Sequence, residues 1–98
     1  LSFSVNRLYY ACFYIVSALL FQENHRFKKH SGVRAAFHQH FVKFGQVSHE
    51  NGKLYDELFE ARQRGDYIEL VSFEKKLVEE WLTQTKQFVN AVRSLIKA

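Results

Sequence analysis

After Arg7 the apolar residues fall so densely that they run nearly all the way round a helical wheel, which predicts a central helix over Ser4–Phe21 enclosed by its neighbours. A strand over Leu8–Val16 would need a second strand-like run to pair with, and the chain has none. From Gln22 to His30 the chain turns polar and basic, the pattern of a loop. Ser31 then stands as a cap for a helix whose positions Val33, Ala36, Phe37, His40, Phe41 and Phe44 keep the three-and-four spacing, with Gly45 placed to end it. A third helix is predicted from about Ser48 to Arg64, with Leu54, Tyr55, Leu58, Phe59 and Arg62 along one side and Gly65 as its stop. A last amphipathic helix, capped by Ser72, carries Leu77, Val78, Trp81, Leu82, Thr85, Phe88, Val89, Val92, Leu95 and Ile96. It should be about 26 residues and roughly 39 Å long. Proline is absent, and the four glycines, at 32, 45, 52 and 65, each lie near a place where the periodicity stops or restarts. The whole reads as an all-α chain without internal repeats, forming a single domain over residues 1–98.

Composition narrows the class. With 98 residues, 47% hydrophobic and 16% aromatic, the chain is one small globular domain whose core must be packed largely by aromatic rings, which excludes disorder, a fibrous repeat or a multidomain enzyme. The single cysteine, Cys12, lies in the apolar run Leu8–Ile15, so it forms no disulfide framework, reads as a small core residue and points to a reducing compartment. Leu8–Phe21 is shorter than the roughly 20 residues of a membrane span and lacks the marks of a signal peptide, so the expectation is a soluble cytoplasmic protein with no membrane partner. The chain has no methionine and begins at Leu1, from which we expect residues to precede this segment.

The net charge of +4 permits an anionic partner without demanding one. Its distribution says more, because residues 24–49 contain no Asp or Glu yet hold all five histidines with Arg26, Lys28, Lys29, Arg34 and Lys43. Interleaved with Phe27, Phe37, Phe41 and Phe44, this block could follow a nucleic-acid backbone or could equally be core rings beside a solvated face.

Among individual residues Arg62 stands out. Its spacing from Tyr55, Leu58 and Phe59 puts the guanidinium at the edge of the core, where it needs a partner: a carboxylate such as Asp66 or Glu60, or a bound phosphate suited to its planar five-donor fork. Arg7, before the apolar run and three and seven residues from Tyr10 and Tyr14, poses the same choice. The histidines do not have metal-site spacing, since His38 and His40 are two apart, and no Cys-x-x-Cys, His-Glu-x-x-His or Glu-x-x-His occurs, so no metal and no cofactor is expected. The glycines never cluster as a phosphate loop would require, and a Ser/His/Asp triad has no nucleophile turn to support it.

Taken in order, Asn6-Arg7-Leu8-Tyr9-Tyr10-Ala11-Cys12-Phe13, Lys29-His30-Ser31-Gly32-Val33, His40-Phe41-Val42-Lys43 and Leu58-Phe59-Glu60-Ala61-Arg62-Gln63-Arg64-Gly65-Asp66-Tyr67 resemble the HEPN domain family (higher eukaryotes and prokaryotes nucleotide-binding), in its small stand-alone prokaryotic form. The resemblance spans nearly the whole chain. It implies an up-and-down bundle of four to five helices, a homodimer, and in many members a metal-independent ribonuclease or toxin paired with a small nucleotidyltransferase antitoxin. In the family a long helix precedes the Arg-x-Tyr-Tyr helix, so the resemblance implies either that this helix lies before Leu1, which the missing methionine favours, or that the bundle is open on one face.

The family's shared motif is an arginine followed four to six residues later by a histidine. By resemblance Arg62 takes the arginine position, and the position where catalytic members carry histidine is Tyr67. For cleavage by 2′-hydroxyl attack the arginine would stabilise the charged phosphorane and the histidine would move protons, whereas a phenol with an ordinary pKa near 10 is a poor base at neutral pH. A substitute would have to come from His25, His30, His38, His40 or His49. The resemblance therefore implies a dimer cleft in which Arg62, Asp66 and Tyr67, with Arg7 and Tyr10 nearby, bind a nucleotide or RNA phosphate with weak or no catalysis. The competing readings are an endoribonuclease using Arg62 and Tyr67, and a helical interaction module in which the arginines serve only as core-edge ion pairs.

Overall fold

The structure, a computed structural model, describes residues 5–64 and 75–97. Among them are four helices and no strand: α1 (Val5–Gln22), α2 (His30–Phe37), α3 (His49–Arg64) and α4 (Lys75–Arg93), with a π-helical turn, His38–Val42, running straight on from α2. No helix among the described residues is long and apolar enough to cross a membrane.

Helix α1 packs against each of the other three. Its buried residues Val5, Leu8, Tyr9, Cys12, Val16, Leu19 and Leu20 recur at three and four, the spacing of one broad apolar face. The expectation of a helix enclosed on all sides is corrected here, because Tyr14 is 66% exposed and Phe21 56%, with Ala11 and Ala18 also exposed. With three packing partners around a cylinder, one strip of α1 stays uncovered.

The core is a stack of rings. Tyr9 of α1 lies nearly parallel to Tyr55 of α3 at 5.9 Å, Tyr55 stacks in turn on Phe88 of α4 at 5.9 Å, and Phe37 of α2 closes on both Tyr55 and Phe88. All four are fully buried. One ring from each helix thus meets at one place, and each such side chain contributes about 1.5–3 kcal/mol of burial with about 0.5–1.5 kcal/mol more for a well-oriented pair. Cys12 is buried beside them, and burial pushes its thiol up to about 12.

Helix ends follow local chemistry. At the end of α1, Asn24 takes a left-handed conformation (φ 64°) while the His25 N–H donates to Leu20 C=O and the Asn24 N–H to Phe21 C=O, a Schellman closure with asparagine in place of glycine. Gly45 (φ 81°) makes the same closure after the π turn through Gly45 N–H to Val42 C=O and Gln46 N–H to Phe41 C=O, so its expected role as a stop is met. Ser48 caps α3 by accepting the Asn51 N–H at 3.1 Å.

Three expectations change. Ser31 is not the cap of α2: the helix begins one residue earlier, at His30, with the Lys29 carbonyl accepting from Gly32 and Val33. The second apolar run is not one regular helix to Phe44, because the π turn inserts a residue: Phe41 stays in the core as expected, but Val42 turns inward and Phe44 is left 72% exposed. Helix α4 ends at Arg93, not near Lys97, since Leu95 and Ile96 take tighter bonds to Val92 and Arg93 and the Gln22 side chain accepts the Lys97 N–H. Its predicted cap, Ser72, lies outside the described residues. Gly32 and Gly52 lie inside helices, Gly52 because a Cβ there would come within 3.1–3.2 Å of His38 and Val42.

Candidate functional site

Arg62 sits near the end of α3, one turn beyond the buried residues Leu58 and Phe59 and two beyond Tyr55, and is itself half-buried at the edge of the core. Its Nε donates to Asn6 Oδ1 at 3.0 Å and its Nη2 to the Tyr10 hydroxyl at 3.1 Å. Asn6 and Tyr10 are four apart on α1, so one face of that helix offers both acceptors. The guanidinium carbon lies 5.2 Å from the ring centres of both Tyr9 and Tyr10.

These partners are neutral. Glu60, one of the two carboxylates considered for an ion pair, instead approaches Arg34 at 4.0 Å, and no described carboxylate is within ion-pair distance of Arg62. Asp66, the other, lies outside the described residues, as does Tyr67. Of the five donors of the guanidinium, two are engaged within the described residues, which leaves three. Arg7, one position beyond Asn6, is exposed.

The same tyrosine pair also holds a histidine. His30, the first residue of α2, shares a 2.9 Å hydrogen bond between its Nδ1 and the Tyr9 hydroxyl, stacks on Phe13 at 4.1 Å and meets the Tyr10 ring edge-on at 5.8 Å. Burial, and secondarily the nearby Arg62 charge, lower its pKa from the usual 6.5. Burial raises the pKa of the Tyr9 phenol, which therefore keeps its proton. The other histidines with described ring contacts are engaged elsewhere: His38 Nε2 is 2.9 Å from Asp56, beside Arg34, and His25 stacks on His40 at 4.5 Å.

Beyond Phe13, on the side of α2 and the loop before it, lies an open groove of about 200 Å³. Phe21, Phe27, His25 and Arg26 line it with Phe13, and the Arg26 guanidinium covers the Phe21 ring at 4.7 Å. Half of its lining, His25, Arg26, Phe27 and Val33, belongs to the acid-free segment 24–49.

Of the expected site residues, the structure brings Arg62 and Tyr10 together. Asn6 and Tyr9 were missed, and His30 was one of five histidines among which the sequence did not choose. Asn6 carries a weak signal, being four residues before Tyr10, but nothing in the sequence joins His30 to Tyr9, 21 residues away. Among the described residues no group of three or more His, Cys, Asp or Glu is placed to hold a metal ion.

Comparison with known proteins places this geometry in context. The chain matches the HEPN domain over residues 1–95. A protein of Thermotoga maritima named "UPF0332 protein" is 51% identical over 96% of this chain and 71% of its own length. Two proteins of Methanocaldococcus jannaschii, named "Putative toxin MJ0142" and "Putative toxin MJ0605", are 33% and 30% identical over 96% of this chain, covering 64% and 69% of their own lengths. No solved structure gives a significant match.

Proposed function

Because the chain belongs to the HEPN domain family, we propose that it binds a phosphate of single-stranded RNA or of a nucleotide at Arg62, as a component of a toxin–antitoxin-type system. The observation that carries this reading is the state of Arg62: a half-buried cation held in one orientation by Asn6 and Tyr10, both neutral, with three donors that no described residue takes. A guanidinium oriented in advance loses little freedom on binding and presents the forked geometry that phosphate oxygens accept. The two relatives named as toxins support the toxin-type setting.

The basic, ring-lined groove beside Phe13 favours RNA over a lone phosphate, since its rings and Arg26 offer an unstacked base a platform. Asp66 and Tyr67 join the site by family resemblance, and Arg7 by its place beside Asn6. A second copy of the chain that completes the cleft, a nucleotidyltransferase partner and a cytoplasmic location are parts of the same proposal.

The test is binding of a labelled single-stranded RNA 12-mer and of AMP to the native protein and to Arg62→Ala and Arg62→Lys, with sedimentation used to follow dimer formation. Affinity at least tenfold weaker in both variants is expected. Unchanged affinity in Arg62→Ala would remove the reading.

A further inference from the structure

The groove beyond Phe13 is walled by rings that face water and are nonetheless held in place. Phe27 is 43% exposed, yet it lies against Gly32: a Cβ at that position would meet Phe27 Cδ1 at 3.1 Å and Cβ at 3.4 Å, so the close approach needs a glycine. His25 lies nearly parallel to Phe27 at 6.3 Å and stacks in turn on His40 of the π turn at 4.5 Å. Across the groove, Phe21 is covered by the Arg26 guanidinium. Exposed rings fixed in position are the material of a stacking surface.

The polar groups of the groove are few and have a common character. Ser17 lines it, and its Oγ is buried with no hydrogen-bond partner among the described residues. A serine inside a helix commonly turns its hydroxyl back to the carbonyl one turn earlier, which Ser17 does not do, and a buried hydroxyl left unpaired weakens the fold until something answers it. Arg26 brings five donors in one plane and no acceptor, and no described carboxylate is within ion-pair distance of it. Neither a carboxylate nor an amide side chain lines the groove.

We propose that this groove is a base-recognition pocket selective for guanine, in which Phe21 and Phe27 stack the base, Arg26 reads its O6 and N7 atoms, and Ser17 Oγ accepts from one of its N–H groups. The proposal deepens the binding reading above and rests on it for the ligand being RNA or a nucleotide. It concerns a different set of side chains, since none of Asn6, Tyr9 and Tyr10, which hold Arg62, lines the groove.

Size and hydrogen-bond complementarity select the occupant. A volume of about 200 Å³ falls below the roughly 300–1,000 Å³ of pockets that enclose drug-sized ligands, so one base enters while its sugar and phosphate stay at the open side. Guanine presents two adjacent acceptors, the pair that an arginine fork meets bidentately. Adenine sets its amino group, a donor, in place of O6, and cytosine likewise turns an amino group toward the arginine's donors. Uracil offers one acceptor and a smaller ring to stack. An apolar side chain from a protein would fill the groove but leave both Ser17 Oγ and the Arg26 donors unanswered.

The experiment measures binding of guanosine, adenosine, GMP and AMP, and of two single-stranded RNA 12-mers, one all adenine and one with a single central guanine. The proteins are the native full chain, Arg26→Lys, which keeps the charge and loses the fork, Gly32→Ala, which displaces Phe27, and Arg62→Ala, each checked for folding by circular dichroism. Native protein should prefer each guanine ligand to its adenine counterpart by about tenfold or more, and in Arg26→Lys the preference should fall to within about threefold. Gly32→Ala should weaken guanosine and adenosine alike, and Arg62→Ala should weaken GMP while leaving the preference for guanosine over adenosine in place. Stronger guanine dependence in the 12-mers than in the mononucleotides identifies RNA as the source of the base, and the reverse identifies a free nucleotide; either supports the pocket. Equal affinity for guanine and adenine ligands, or an unchanged preference in Arg26→Lys, would overturn the pocket and leave the Arg62 reading intact. A guanosine preference with GMP binding unaffected by Arg62→Ala would overturn the Arg62 reading and leave the pocket. Binding of none of these ligands would overturn both. Should Gly32→Ala not fold, Arg26→Lys, at an exposed loop residue, decides alone.

Discussion

The Arg62 guanidinium donates to the Tyr10 hydroxyl at 3.1 Å across 52 residues of sequence, and this contact ties the end of α3 to the first turns of α1. It joins the most prominent charged residue of the chain to a helix that carries no acidic residue. The contact orients the cation without neutralising it, and several outcomes can be measured from it.

Replacing Arg62 by alanine leaves Asn6 Oδ1 and the Tyr10 hydroxyl without their donor and removes the cation from above two rings. The fold should lose about 1–3 kcal/mol, read from urea midpoints. Because the acceptors are neutral and only partly buried, the loss should stay below the ~3–5 kcal/mol of a stranded buried charge; a loss in that range would reveal a carboxylate partner.

Tyr9→Phe deletes only the hydroxyl that holds His30 Nδ1, at a ring that is otherwise fully buried. Stability should fall by about 1 kcal/mol. The His30 ring should become more mobile, seen as broadening or shift of its resonances in histidine-selective NMR, with the other four histidines unchanged.

The lowered His30 pKa makes stability depend on pH with a definite sign. The unfolded chain takes up the proton at about 6.5, the folded one only at lower pH, so the fold's advantage is complete above 6.5 and is lost as pH falls through the folded value. Thermal melts between pH 7.5 and 5 should show this decline in the native protein and a flatter profile in His30→Asn.

Gly52→Ala should destabilise the protein even though alanine is the better helix former by roughly 1 kcal/mol. The added methyl would meet Val42 Cγ1 at 3.1 Å and Cγ2 at 3.2 Å, and Val42 is a buried branched residue that cannot swing away. Overpacking of this kind costs about 1–3 kcal/mol, so a lower melting temperature is expected; a rise would mean that the π turn yields easily.

Cys12 should not react with an aromatic disulfide reagent at pH 8 in the folded protein and should react fully in denaturant. It is completely buried, and its thiol is pushed up to about 12.

Much of the fold is written in local pattern. Three- and four-residue spacing determines α1, α3 and α4, Gly45 and Ser48 mark ends because a left-handed residue and a side-chain acceptor are local requirements, and Arg62's place at the edge of the core follows from its spacing behind Tyr55, Leu58 and Phe59. The fold class and the family are legible for the same reason, since each depends on residues close in sequence or on their order. Only packing between helices decided the rest. The π turn after Phe37 keeps Phe41 inside and brings Val42 inward where a regular helix would have used Phe44, because the inserted residue shifts which positions face the core. The meeting of Asn6, Tyr9, Tyr10, His30 and Arg62 joins three helices through contacts 21 to 56 residues apart, and periodicity within one helix carries no information about which face of another it will meet.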